Sequence, residues 1–182
     1  MTGVKKLLIF LFLMVFLSSS ALAQEFLAPD AFFFQLPRGW KCDYSKISDY
    51  SSPEEGIFFL GSATDSHMML ECQIYDYRKH YGAFSLYRAN KRDKMTYMIN
   101  IEAAYEKETL TYLKTFQENP SKIPFLIYHV EGDVDGEYYY VDTISGGWCI
   151  AFFFYPYYAD DRLNDENLAE LESILATFEP IR

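Results

Sequence analysis

Three residue types that together can run nucleophilic chemistry fall in the last third of the chain: His129, Asp142 and Cys149. A thiolate nucleophile needs a base within hydrogen-bond reach and a third group to orient that base, so their relative positions decide the matter. Asp135-Gly136 and Ser145-Gly146 read as two-residue hairpin turns. With those as loop residues, Val134 faces Glu137 and Ile144 faces Gly147, which sets His129 opposite Asp142 and Asp142 opposite Cys149. The acid then stands between the other two. At ~4.5–5.5 Å per strand step, Cys149 lies two steps from His129. A polar pair buried beside a small packing cysteine accounts for this row better than a catalytic set does.

Other candidate chemistry is weaker. Asp65-Ser66-His67 sets three triad residue types side by side, but a triad is assembled in space and neighbours within one turn do not converge. Asp133-Val134-Asp135-Gly136-Glu137 opens like a calcium loop, yet it lacks the later ligands and the closing bidentate Glu, and Asp-Gly is a common hairpin turn. His67, His80 and His129 have no metal-ligand spacing, and no Gly-rich phosphate loop is present. Neither metal nor cofactor is expected. Aromatic content is high, with 16 Phe, 16 Tyr and two Trp. Most of these rings belong to alternating strands, but Tyr155, Tyr157 and Tyr158 lie where the last strand leaves its sheet. Tyrosine joins apolar area to a polar tip, which suits a partner interface.

The elements that position these residues follow from periodicity. Phe32 to Leu36 is a compact apolar run stopped by Pro37-Arg38-Gly39, and Trp40 to Tyr44 restarts in alternation, so two strands meet at a corner. Ser45 to Gly56 is polar loop. Ile57 to Leu60 and Met68 to Tyr77 are further strands around a turn. From Ala83 to Asn119 there is neither Gly nor Pro, and Met98, Ile101, Tyr105, Tyr112 or Leu113 and Phe116 recur near a period of 3.6. This predicts helix ending at Asn119-Pro120. One helix of that length would run over ~50 Å, too long for a domain this size, so it is broken near Asn90 to Asp93 into two helices. Ile123 to Glu131 is a strand, and Glu137 to Pro156 is a hairpin apolar on both arms. Asn164 or Asp165 caps a closing helix whose face carries Leu168, Leu171, Ile174, Leu175 and Phe178. The predicted register sets Leu126, Tyr128 and Val130 on the face of Tyr139, Val141 and Phe152. Both faces are apolar and both need cover. The fold class expected is α+β, a three-layer α/β/α sandwich with a central, mostly antiparallel sheet of about 6–7 strands.

The N-terminus reads as an address. Lys5 and Lys6 precede an apolar run from Leu7 to Leu17, and Ala21-Leu22-Ala23 is a cleavage signal, so residues 1–23 are expected to be a cleaved secretory signal peptide. The run is too short for a span of ~20 residues. Residues 24–31 read as a tether and 32–182 as one domain. Cleavage leaves 159 of the 182 residues, enough for a single core. The whole chain carries 16 Lys and Arg against 26 Asp and Glu, net −10; the leader removes two lysines, which makes the mature chain −12. That balance disfavours nucleic acid and anionic membranes, both of which need a basic footprint. Charge is uneven, with a basic stretch from Arg78 to Lys94 and an acidic last third, and this asymmetry can steer association. Cys42, Cys72 and Cys149 remain after cleavage; one pair can bridge in an oxidising compartment, and the sequence leaves all three pairings open.

Phe32-Phe33-Phe34-Gln35-Leu36-Pro37-Arg38-Gly39-Trp40 resembles the f-x-l-P-x-G-W opening of the PsbP-like and DcrB-like families, and Ile174-Leu175-Ala176-Thr177-Phe178 resembles their closing helix. The resemblance spans Phe32 to Glu179. It implies an α/β/α sandwich and non-enzymatic work, because members of this fold act as extrinsic photosystem subunits, GTPase-binding proteins and chaperone-like adaptors. It brings no catalytic residues. The function expected is a secreted or periplasmic accessory protein that binds another envelope or secreted protein. The alternatives are a thiol-dependent or hydrolytic enzyme using Cys149 with His129, and a binder of a small apolar ligand between sheet and helix. Expression with the leader in an export-competent bacterial host should yield a chain beginning at Gln24; N-terminal sequencing checks this, and an exported chain still starting at Met1 refutes it.

Overall fold

The computed structural model describes residues 24–28, 32–44, 56–63, 65–105, 109–132, 136–158 and 161–180. The expected leader, most of the loop after Tyr44 and the centre of the acidic turn at 133–135 lie outside the described residues. The chain forms β1 (Gln24–Ala28), β2 (Phe32–Leu36), β3 (Trp40–Tyr44), β4 (Gly56–Ala63), β5 (Met68–Asp76), a one-turn helix α1 (Arg78–Tyr81), a 3-10 turn (Leu86–Arg88) and α2 (Lys91–Ala104). It continues with β6 (Thr109–Phe116), β7 (Phe125–Gly132), β8 (Gly136–Ser145), β9 (Trp148–Pro156), α3 (Asp165–Leu175) and β10 (Glu179–Pro180). The main sheet has seven strands in the order β3-β4-β5-β9-β8-β7-β6, every pair antiparallel, and a second sheet has the order β1-β2-β10. The expected sandwich with about 6–7 central strands is therefore present.

Each face of the main sheet has its own core. On one, Leu70, Cys72, Phe125, Ile127, Val141, Phe152 and Phe154 meet Phe32, Phe34 and Leu36 of β2, and Leu171, Ile174 and Leu175 of α3 with Phe178 beyond it. The Phe178 ring lies 5.0 Å from that of Phe125 and 5.1 Å from that of Phe32, edge-on to the first and stacked on the second. Helix α3 starts where the sequence predicts. The Asn164 side chain accepts from the Glu166 and Asn167 N–H groups, and Asp165 and Glu166 place negative charge in the first turn. On the other face, Leu86, Tyr97 and Ile101 cover Leu126, Tyr128, Val130, Tyr140, Ile144 and Ala151. The expected break near Asn90 is present, with Asn90 capping α2 through the Asp93 N–H, but the stretch before it holds only the 3-10 turn and not the first of two helices.

Four further expectations need correction. Gln24–Ala28, expected as tether, is a strand paired along its length with β2. The helical reading fails after Ala104, because Thr109–Phe116 is the edge strand β6. Three threonines favour strand there, while a bulge between Tyr112 and Lys114 breaks the two-residue alternation that would have revealed it. The β7–β8 register also differs. Gly132 pairs with Gly136, leaving residues 133–135 between them, so the connection has an odd number of residues where two were expected. A change of parity turns every β7 side chain over: Phe125, Ile127 and His129, not Leu126, Tyr128 and Val130, share the face of Tyr139 and Val141. Finally, the β8–β9 turn is Gly146-Gly147 rather than Ser145-Gly146, which moves the pairing by two and preserves its faces.

The β8–β9 turn is locked from outside. Both glycines have positive φ, +60° and +83°. Gly147 donates to the Phe84 carbonyl and accepts from the Tyr77 N–H, while the Gly146 N–H reaches Ser85 Oγ at 2.7 Å. A Cβ on Gly147 would stand 2.0 Å from the Gly82 carbonyl oxygen and 2.7 Å from Arg78 Cγ, whereas one on Gly146 meets open space. Gly146→Ala is expected to cost about 1 kcal/mol, the penalty of a left-handed alanine, and Gly147→Ala about 2–4 kcal/mol from strain plus backbone overlap. Urea unfolding of the two variants checks the order, and equal losses would refute it.

Candidate functional site

Asp142 is at the centre of the polar chemistry. It lies mid-way along β8 on the α2 side of the sheet and is 2 % exposed. A carboxylate this deep needs donors, and three side chains supply them. Tyr97, projecting from α2, donates its hydroxyl to Oδ1 at 2.6 Å. Tyr140, two residues back on the same strand, donates to Oδ2 at 2.7 Å, and the Cys149 thiol donates to Oδ2 at 3.1 Å. Asp142 pairs with Ala151 and Cys149 with Ile144, so the acid and the thiol meet on the diagonal rather than directly across.

Burial shifts the titration of all four groups upward. Burial pushes the Asp142 carboxyl up from its ordinary 3.8, and the bonds from Tyr97, Tyr140 and Cys149 pull it back only in part. Burial likewise raises the Tyr97 and Tyr140 phenols and the Cys149 thiol, and the neighbouring carboxylate raises each further. The Cys149 sulfur is thus held as a donor and not as a thiolate, the opposite of what a nucleophile requires.

His129 is absent from this group. The observed register pairs it with Tyr139, and it points to the α3 side of the sheet, where its Nε2 lies 2.6 Å from Glu137 Oε1. Glu137 also contacts Arg162 at 3.5 Å and the Leu163 N–H at 3.3 Å. The sheet therefore separates His129 from Cys149, and the two cannot act as base and nucleophile. Cys72 and Cys149 are free, buried thiols in different layers, and every possible cysteine pair includes one of them, so among the described residues no disulfide forms. Among the described residues no three of His, Cys, Asp and Glu converge as a metal-binding set.

A cavity of about 290 Å3 opens between α2 and the sheet above Asp142. Its walls are the rings of Tyr77, Tyr81, Tyr97, Tyr105 and Tyr140, with Ile101, Ala104, Asn100 and His80 completing the lining. The locked glycine turn is what positions them, because its bonds to Tyr77, Phe84 and Ser85 fold residues 77–85 back over the sheet. Tyr81 then sits edge-on to Tyr97 at 5.5 Å and accepts from the Asn100 amide at 3.1 Å, while Tyr105 lies 5.1 Å from Tyr140. Of these residues the helical spacing in the sequence marked Ile101 and Tyr105, with Met98 beside them, but not Tyr97, one turn before Ile101 and buried on the same core.

The tyrosine exit of β9 is elsewhere. Tyr155 is half-buried and pairs with Met69; Tyr157 and Tyr158 are 63 % and 56 % exposed. The Tyr157 N–H donates to the His67 carbonyl at 2.7 Å, and the His67 ring stands edge-on to Tyr158. His67 is thus engaged with the tyrosines, and its φ of +53° marks a tight turn.

The fold has a solved counterpart. The chain is similar to the solution structure of cyanobacterial PsbP (CyanoP) from Synechocystis sp. PCC 6803, with a TM-score of 0.52 and 16 % identity over 90 % of this chain and 96 % of that one. A crystal structure from Bacteroides thetaiotaomicron VPI-5482 aligns with a TM-score of 0.44 and 15 % identity over 88 % of this chain and 49 % of that one. No protein-family model matches the sequence, and no curated protein does. The likeness to CyanoP is remote and is a likeness of fold, a PsbP-like α/β sandwich.

The Asp142 environment has a signature in stability. A carboxyl raised in the folded state binds its proton more tightly there than in the unfolded chain, so stability is full below 3.8 and falls as pH rises towards the folded value. Asp142→Asn cannot ionise. The wild type is expected to lose stability relative to this variant as pH rises above 3.8; urea midpoints followed upward from that pH check it, and parallel curves refute it.

Proposed function

We propose that the chain is an exported, non-enzymatic accessory protein that docks onto another envelope or secreted protein through Tyr155, Tyr157 and Tyr158. The observation that carries the docking reading is the pair Tyr157 and Tyr158. Both rings are more than half exposed, their centroids are 5.0 Å apart, and the backbone beneath them is tied to His67. Two ordered amphipathic rings bring contact area at little entropic cost on association. Export rests on Lys5, Lys6, the apolar run and Ala21-Leu22-Ala23. The non-catalytic part is supported by the separation of His129 from Cys149 and by a thiol held protonated. No helix among the described residues is long and apolar enough to cross a membrane.

A photo-crosslinking residue in place of Tyr158, in the native envelope, is expected to trap one protein that the same residue at Ile99, exposed on α2, does not trap. Tyr157→Ser with Tyr158→Ser should weaken that capture by about tenfold, as loss of an aromatic anchor does. Identical adducts from positions 158 and 99, or none from 158, sink the docking reading.

A further inference from the structure

We propose that the cavity over Asp142 is a binding site for a small organic ammonium ion. This site is separate from the tyrosine exit and does not depend on docking there. Its volume, about 290 Å3, is at the lower end of ligand sites and suits a compact molecule. Its floor is a buried carboxylate and its walls are ring-rich, with Tyr81, Tyr97, Tyr105 and Tyr140 around Asp142 and Asn100.

Charge selects the ligand. An ionised carboxylate offers about four acceptor positions, and Tyr97, Tyr140 and Cys149 occupy three. All three donors are neutral, and among the described residues no Lys, Arg or His forms an ion pair with Asp142. A buried anion without a counter-charge is costly, and the one acceptor position left is best filled by a group that brings positive charge. The tyrosine-rich lining favours the same sign, because a cation over an aromatic face is attracted by its quadrupole. An anion would meet Asp142, and a wholly apolar molecule would leave the acceptor unanswered. A metal ion such as calcium wants six or more oxygen ligands, whereas a single carboxylate is present here and no metal-type cluster converges among the described residues. An organic ammonium ion makes no such demand: a quaternary one needs only counter-charge and a cage of rings, and a primary one can place one N–H on the open Asp142 position. His80, exposed, is the cation-capable side chain among the lining residues, and the phenols stay neutral.

The test compares ions with neutral molecules of the same shape. Choline is set against 3,3-dimethylbutan-1-ol, and butylammonium against butan-1-ol, each titrated to about 50 mM, which saturates a site with a Kd of about 1 mM. Backbone amide shifts of Tyr97, Asn100, Ala104 and Tyr140 report binding in the folded full-length mature protein. At least one ion is expected to bind saturably, about tenfold more tightly than its neutral partner, and Asp142→Asn to remove about that factor. Tyr105→Leu keeps apolar volume but removes a ring face, and should weaken the ion about fivefold while sparing the alcohol. If Asp142→Asn does not fold, the ion–alcohol comparison and Tyr105→Leu still decide. Equal affinity for ion and alcohol, no shift from either ion, or shifts confined to other parts of the protein overturns the proposal.

Discussion

Strands β7, β8 and β9 carry large apolar side chains on both faces, and each face must be taken out of water for the sheet to persist. That demand is met unequally. On one side α3 and the β1-β2-β10 sheet together provide a broad layer rich in phenylalanine. On the other side α2, at 14 residues, is ~21 Å long, whereas seven strands ~4.8 Å apart span ~29 Å. One helix cannot roof that width, so residues 77–88 are folded back to extend it, held by backbone bonds to the β8–β9 turn. The cavity is what this improvised roof leaves open. Its walls are tyrosines because long rings on both layers reach across the gap.

The same constraint explains the polar cluster. A carboxylate under an incomplete roof is tolerated only if donors come from every layer, and they do: Tyr97 from α2, Tyr140 from its own strand and Cys149 from the neighbouring one. A network of this kind ties helix to sheet at one defined position, because moving α2 by a turn would strip Asp142 of its Oδ1 partner. The acid therefore fixes where α2 sits as much as it shapes the space beside it.

Much of this was legible in the residues. The Asn164 cap and the Leu168–Phe178 stripe, the break at Asn90, the faces of β8 and β9 and the proximity of Asp142 to Cys149 all follow from local pattern, as does the remote PsbP-like likeness. What escaped had a physical cause in each case. The faces of β7 hang on the parity of one turn, and Asp-Gly suggested two residues where three intervene. Strand β6 was hidden by its bulge, and β1 has too little periodicity to show that β2 would pair with it. The tyrosine walls depend on residues 77–85 folding back, a long-range event fixed by Gly147, and no local spacing announces it.

The bulge in β6 also shapes how the molecule meets its own copies. β6 ends the main sheet, and a regular edge strand presents an unbroken row of amide and carbonyl groups on which another chain can polymerise. Here the row is interrupted between Tyr112 and Lys114, and Lys114 is drawn to Glu172 of α3, so a charge stands at the kink. An incoming strand finds its ladder out of step after a few rungs. A chain with 34 aromatic residues and strands buried on both sides is rich in material for amyloid, and this one irregular residue helps keep that material folded inward.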